Sequence, residues 1–157
     1  MDNDFLEIAK QKNRILDLNE AFKEFPPEEE WHKGKIENVL REDSEEYSCY
    51  KVGDIVFVNY YTYRDGKLGN NHFFVIVEQN NIAVPIENFG MLISSNLEKL
   101  KYKSNIKLEK DKINNLDRDS IVKTDCIYRI KNENILFKIG EVTLDKVKEY
   151  KRLFLEQ

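Results

Sequence analysis

Cysteine, histidine and long apolar runs are scarce in this 157-residue chain, and each scarcity removes a class of function. Cys49 and Cys126 have neither the spacing of a disulfide framework nor that of a zinc site, and His32 and His72 are isolated from them in sequence. Free thiols, no metal and no cofactor are the expectation. No apolar run approaches the roughly 20 residues of a membrane span. The opening MDNDFLEIAK is acidic where a signal peptide would be basic and then apolar. The chain therefore reads as cytoplasmic, with no membrane role. Internal repeats and low-complexity segments are absent too, as is the strong basic stripe of a high-affinity duplex DNA binder.

What is there fits one globular domain: 41% of residues are hydrophobic, and a chain this long removes roughly 70% of its unfolded surface from water. The formal net charge of −4 hides an asymmetry. Residues 1–46 hold 14 acids and 7 bases, a net of −7, which leaves 15 acids and 18 bases in residues 47–157, a net of +3. Any nucleic-acid contact of that mildly basic body should be local and salt-sensitive.

The front is helical by pattern. Phe5, Ile8, Ala9, Ile15, Leu16 and Phe22 recur at helix-compatible spacings, so the stripe must dock on something. Phe25-Pro26-Pro27 interrupts it. Pro27 followed by Glu28, Glu29 and Glu30 then favours a second helix over about 27–42, with proline at the first position and carboxylates in the first turn. From Tyr50 the pattern changes to β. GDIVFVNYYTY ends at the turn Arg64-Asp65-Gly66 and is followed by the strand candidates HFFVIVEQ, IAVPIE, FGMLISS, KSNIKLE, DSIVKTDCIYRI and ILFKIG. Pro85 places IAVPIE at an edge or outside the sheet. Strands this short, with turn signals between them, imply a small, strongly bent sheet or barrel. A helix closes the chain at VTLDKVKEYKRLFLE, capped by Thr143 and stapled by Val142 on Val147, with Leu144, Val147, Phe154 and Leu155 as its apolar face.

The order KVGDIVFVNY, a loop with Gly66 and Gly69, HFFVIV, LISSN, KYKSNIKL, LDRDSIVKTDCIYRI and a final capped helix resembles the MazF/PemK family of bacterial toxins over roughly residues 50–157. The GDIV and RDSIV strings are its more specific parts. Residues 1–46, an acidic helical extension, lie outside that pattern, and residues 47–157 would be the family domain. The resemblance implies a mainly β protein with α, an SH3-like small β-barrel of the MazF/PemK/CcdB-like kind with a C-terminal helix. It also implies a homodimer that cuts single-stranded RNA without a metal, held inactive by an antitoxin protein. In that family an arginine at the start of the second strand and a threonine or serine at the end of the next core strand carry the chemistry. Here those positions fall on His72, with Phe73 where a proline would follow, and on Ser94.

Histidine suits acid or base work near neutrality, but it lacks the permanent charge and forked donor of arginine. On this reading His72, Ser94 and Arg64 are the catalytic candidates, Arg64 and Lys67 supply the missing charge, and Asn70, Asn71, Ser95 and Asn96 contact the substrate, as recognition of splayed bases requires. Each has a plainer reading beside it. His72 is also a satisfied strand-edge residue, Ser94 and Ser95 also terminate a strand by bonding nearby backbone, and Arg64-Asp65-Gly66-Lys67 is also a solvated turn. Lys101, Lys103 and Lys107, on one face of an extended segment, read as a solvated outer edge. Of Tyr60, Tyr61 and Tyr63 only some can stack on bases, because alternation turns at least one inward. The rival function is a degenerate barrel that binds RNA or a protein without cutting. A third makes residues 1–46 an acidic arm for a partner.

Overall fold

In a computed structural model of the chain, the structure describes residues 2–17, 50–58, 72–82 and 86–157. Helix α1 (Asp2–Gln11) stops at a left-handed residue, Asn13, at φ +55°. The Asn13 amide bonds the Lys10 carbonyl at 3.0 Å and the Arg14 amide bonds the Ala9 carbonyl at 3.2 Å, the two bonds of a Schellman closure. The chain leaves this turn directly as strand β1 (Ile15–Asp17). Ile15 and Leu16 therefore belong to a strand and not to the expected helical stripe, because the left-handed turn ends the helix and β1 finds a parallel partner in β7 (Ile127–Lys131). Phe22, the helix expected over 27–42, Tyr60, Tyr61, Tyr63 and Pro85 lie outside the described residues.

With β1 and β7, strands β2 (Asp54–Val58), β3 (His72–Asn80), β4 (Glu87–Ser94), β5 (Asn105–Leu108), β6 (Ser120–Lys123) and β8 (Ile135–Glu141) form one sheet in the order β1-β7-β4-β3-β2-β8, with β6 on β4 and β5 on β6. The molecule is thus mainly β with a C-terminal helix, α2 (Leu144–Leu155). Among the described residues no pairing joins β1 to β8, so these strands make an open sheet. The string DSIVKTDCIYRI is two strands, β6 and β7, separated by a turn at Thr124 and Asp125.

Alternation buries both faces of the central strands. Ile55, Val75, Met91, Ile93 and Val122 face the side on which α1 and α2 lie, with Phe5, Ala9, Val147, Tyr150 and Phe154. Val56, Val58, Phe74, Ile76, Leu92 and Tyr128 face the other side. A bulge between Ile76 and Glu78 resets this alternation, since Val77 is the extra residue against Gly90 and Phe89 of β4. Glu78 consequently points to the helices and not with Phe74 and Ile76. There its buried carboxylate meets Lys151 Nζ of α2 at 2.9 Å, and the same ammonium lies 4.7 Å from the Phe5 ring centroid. One lysine joins α1, α2 and the sheet.

Thr143 caps α2 as expected, its Oγ1 accepting from the Lys146 amide at 3.3 Å, and Val142 and Val147 share the helix-side core. The expected apolar face is narrower than the sequence implied. Val147, Tyr150 and Phe154 are buried, whereas Leu144 is 61% and Leu155 40% exposed. Gly53, at φ +99°, is required where the chain enters β2: its amide bonds the Ile76 carbonyl, its carbonyl accepts from Val142, and a Cβ would lie 2.9 Å from the Val142 oxygen.

Candidate functional site

His72 begins β3 and is paired across to Val58 of β2. The register that sets Phe73 against Ile93 carries His72 opposite Ser94, and Ser94 in turn pairs with Ile121 of β6. Alternation then puts His72, Ser94, Ile121 and Lys123 on one face, the face away from the helices. Phe73, on the position next to His72, turns to the other face and packs its ring 5.0 Å from that of Phe57.

After β4 the chain turns through Ser95 and Asn96, both exposed, into a short 3-10 helix, Leu97–Lys101. The Asn96 side-chain oxygen caps that helix by accepting from the Glu98 amide at 3.2 Å, and Ser94 Oγ accepts from the Asn96 amide at 3.2 Å. The strand-terminating bond expected of Ser94 is therefore present, and Asn96 caps the helix that follows. These bonds leave the Ser94 hydroxyl proton and the Asn96 amide group as donors. The helical turn also corrects the expectation of an extended lysine face, because Lys101 and Lys103 are not on a strand and only Lys107 is. The same turn swings Lys99 back toward β6.

Lys99 and Lys123 meet there. Their charges oppose one another, and together with Tyr102, Ser104, Asn105 and Asp125 they line a pocket of about 290 Å³. Burial holds Lys123 below the ordinary lysine value, and Lys99 depresses it further, while Asp125 works in the opposite direction. His72 belongs to the same electrostatic cluster. Burial lowers its pKa, the charges of Lys123 and Lys99 lower it further, and a hydrogen bond to the Ile93 main chain opposes them. Because that bond favours the charged ring, the imidazole is the donor and the Ile93 carbonyl the acceptor. The neutral ring is therefore the favoured form at pH 7.

The structure thus brings together two expected residues, His72 and Ser94, with two that the sequence reading did not assign to the site, Lys99 and Lys123. A signal for Lys123 was present: in SIVK it stands two residues beyond Ile121 and so shares its face. None existed for Lys99, which arrives by the 3-10 turn. Arg64, Lys67, Asn70 and Asn71 lie outside the described residues. Among the described residues no helix is long and apolar enough to cross a membrane.

The model of a family described as PemK-like, MazF-like toxins of type II toxin-antitoxin systems matches residues 51–156, so α1 and β1 precede the matched region. No curated protein matches the chain.

Proposed function

Since this chain belongs to the PemK-like, MazF-like toxin family of type II toxin-antitoxin systems, we propose that it is a metal-independent endoribonuclease acting on single-stranded RNA. The observation that carries this reading is the cluster of His72, Lys99 and Lys123 beside Ser94. The family's arginine position holds a histidine here, and two lysines from elsewhere in the chain bring the positive charge that histidine lacks.

In this mechanism neutral His72 takes the proton of a ribose 2′-OH. The 2′ oxygen bonds to phosphorus, the bond from phosphorus to the 5′ oxygen breaks, and Lys123, its pKa drawn down by burial, protonates that leaving oxygen. The products are a 2′,3′-cyclic phosphate and a 5′-hydroxyl. Lys99 and the Ser94 hydroxyl donate to the phosphate oxygens as charge develops there. Arg64 and Lys67 add charge from the loop before His72, and Asn70, Asn71, Ser95 and Asn96 contact bases. The fuller reading places these residues on an SH3-like barrel in a cytoplasmic homodimer, with an acidic antitoxin as its inhibitor. Exposed Leu144 and Leu155 are available to the dimer, and a monomer mass by light scattering would remove that part.

The test is incubation of the purified chain with a long unstructured RNA in excess EDTA, with product ends mapped. Discrete cuts ending in cyclic phosphate, lost in His72→Ala, are expected. One observation favours a second reading, a barrel that binds RNA without cutting: a neutral His72 brings no permanent charge to the phosphate. Intact RNA that is nonetheless bound would establish it.

A further inference from the structure

Lys123 ends β6 and Asp125 stands in the β6–β7 turn, both lining the pocket, and that turn is held by residues near both ends of the sequence. From the segment that precedes the family match, Arg14 Nη1 donates to the Asp125 carbonyl at 3.3 Å, and the Arg14 carbonyl accepts from the Ile127 amide at 2.9 Å. From the C-terminus, Gln157 Nε2 donates to Thr124 Oγ1 at 3.2 Å and to the Leu153 carbonyl at 2.9 Å. Arg14 Nη1 also reaches Gln157 Oε1 at 3.5 Å, and Lys12 Nζ donates to the Gln157 main-chain oxygen. Thr124 passes the restraint on, since its hydroxyl and its amide both donate to the Ser104 carbonyl in the pocket wall.

We infer that Arg14 is a positioning residue for the candidate site: with Gln157 it clamps the Thr124–Asp125 turn, and so sets Lys123 against Lys99 and His72. The segment before the family domain is by this account a working part of the site and not an appendage to it. The Schellman turn at Asn13 aims Arg14, and pairing of β1 with β7 fixes its backbone. Sheet pairing alone would hold β7, but it would not restrain the turn ahead of it. That takes a side chain reaching back from the neighbouring strand.

This inference rests on the site proposed above, and its test does not require that the site cut RNA. The chain has only two histidines, so His32→Gln assigns the His72 ring resonances, and the His72 midpoint is followed by NMR titration in the full chain. Burial, the Ile93 hydrogen bond and the charges of Lys123 and Lys99 set that midpoint, while Asp125 acts on Lys123. In Arg14→Ala the midpoint is expected to rise toward the ordinary histidine value as Lys123 moves off and the ring is less buried. Arg14→Lys, which keeps a donor and a charge, should restore part of the shift. Gln157→Ala should move it the same way by less. Lys151→Met, destabilised at the far end of β3, should leave it unchanged. An unchanged midpoint in both Arg14→Ala and Gln157→Ala overturns the inference, as does an equal rise in Lys151→Met. Should Arg14→Ala fail to fold, Gln157→Ala decides alone. Binding of a labelled unstructured RNA is measured alongside: if no variant binds, the functional reading falls while the titration still decides the clamp.

Discussion

At one end of β3 charges are matched, and at the other like charges are gathered. Glu78, buried, has Lys151 at 2.9 Å, and nearby Asn88, also buried, donates to the Ile130 carbonyl at 3.1 Å and to Asn132 at 2.8 Å while accepting from Gln79 at 2.8 Å. Every polar group named there has a partner of opposite character. At the His72 end, Lys99 stands close enough to Lys123 to oppose its charge, and both lysines oppose protonation of His72. A fold selected for stability alone would not bring two ammonium groups together, since their repulsion is unfavourable until an anion lies between them. Matched charge marks the scaffold, and the gathering of Lys99 and Lys123, offset only in part by Asp125, marks where an anionic ligand is expected.

The comparison is broken most severely at the matched end. Lys151→Met leaves the Glu78 carboxylate buried without its cation and should cost about 3–5 kcal/mol. Urea unfolding would show it as a lower midpoint, with RNA affinity unchanged below that midpoint. A loss under 1 kcal/mol would mean that Glu78 has found water and that the scaffold end is not closed.

At the gathered end the expected effect falls on activity. His72→Ala should lower RNA cleavage by roughly 10²–10⁴-fold with an unfolding midpoint close to that of the wild type. Cutting at the wild-type rate would show that the site has been misassigned. His72→Arg sharpens the point, because restoring a forked permanent charge should raise cleavage above the wild-type rate.

Smaller effects separate the two lysines from ordinary surface charge. Lys99→Ala and Lys123→Ala should each flatten the dependence of log affinity for single-stranded RNA on log salt by about 0.7. Neither should lower stability, since each relieves a repulsion. A salt slope equal to that of the wild type in both variants would count against phosphate contact.

The smallest effect is on stability against pH. The folded pKa of His72 lies below its unfolded value, so the unfolded chain binds the extra proton first as pH falls. Stability tied to His72 is therefore full above the unfolded value near 6.5 and declines as pH drops from there through the folded value. His72→Gln should remove that part of the decline in urea midpoints measured across the window. An unchanged profile would mean that the ring is not held in its neutral form.

Much of the scaffold was legible in residue order. The strand-forming composition of DIVFV, HFFVIV and GMLIS forecast β2, β3 and β4. The Thr143 cap and Val142–Val147 staple marked the start of α2, because capping is a bond between a side chain and a backbone amide three residues away. The strings GDIV and RDSIV pointed to the family that the chain proved to belong to. His72 and Ser94 were also nameable, each at a strand end. Where the reading failed, the deciding partner was distant. Ile15 and Leu16 fit a helical stripe as well as a strand, and only β7 settles the choice. Nothing local in KTDC announced a turn, so β6 and β7 were read as one strand.

What the sequence by itself determined, then, were the features set by neighbours within a turn or two: strand-forming runs, helix caps, the acidic front and the basic body. Tertiary structure decided which side chains meet. The bulge at Val77 reversed the face of Glu78 and delivered it to Lys151, and a 3-10 turn brought Lys99 to Lys123. The C-terminal glutamine met Arg14 across almost the whole chain. Those encounters depend on register and on the closing of long loops, and neither is written in any short stretch of residues.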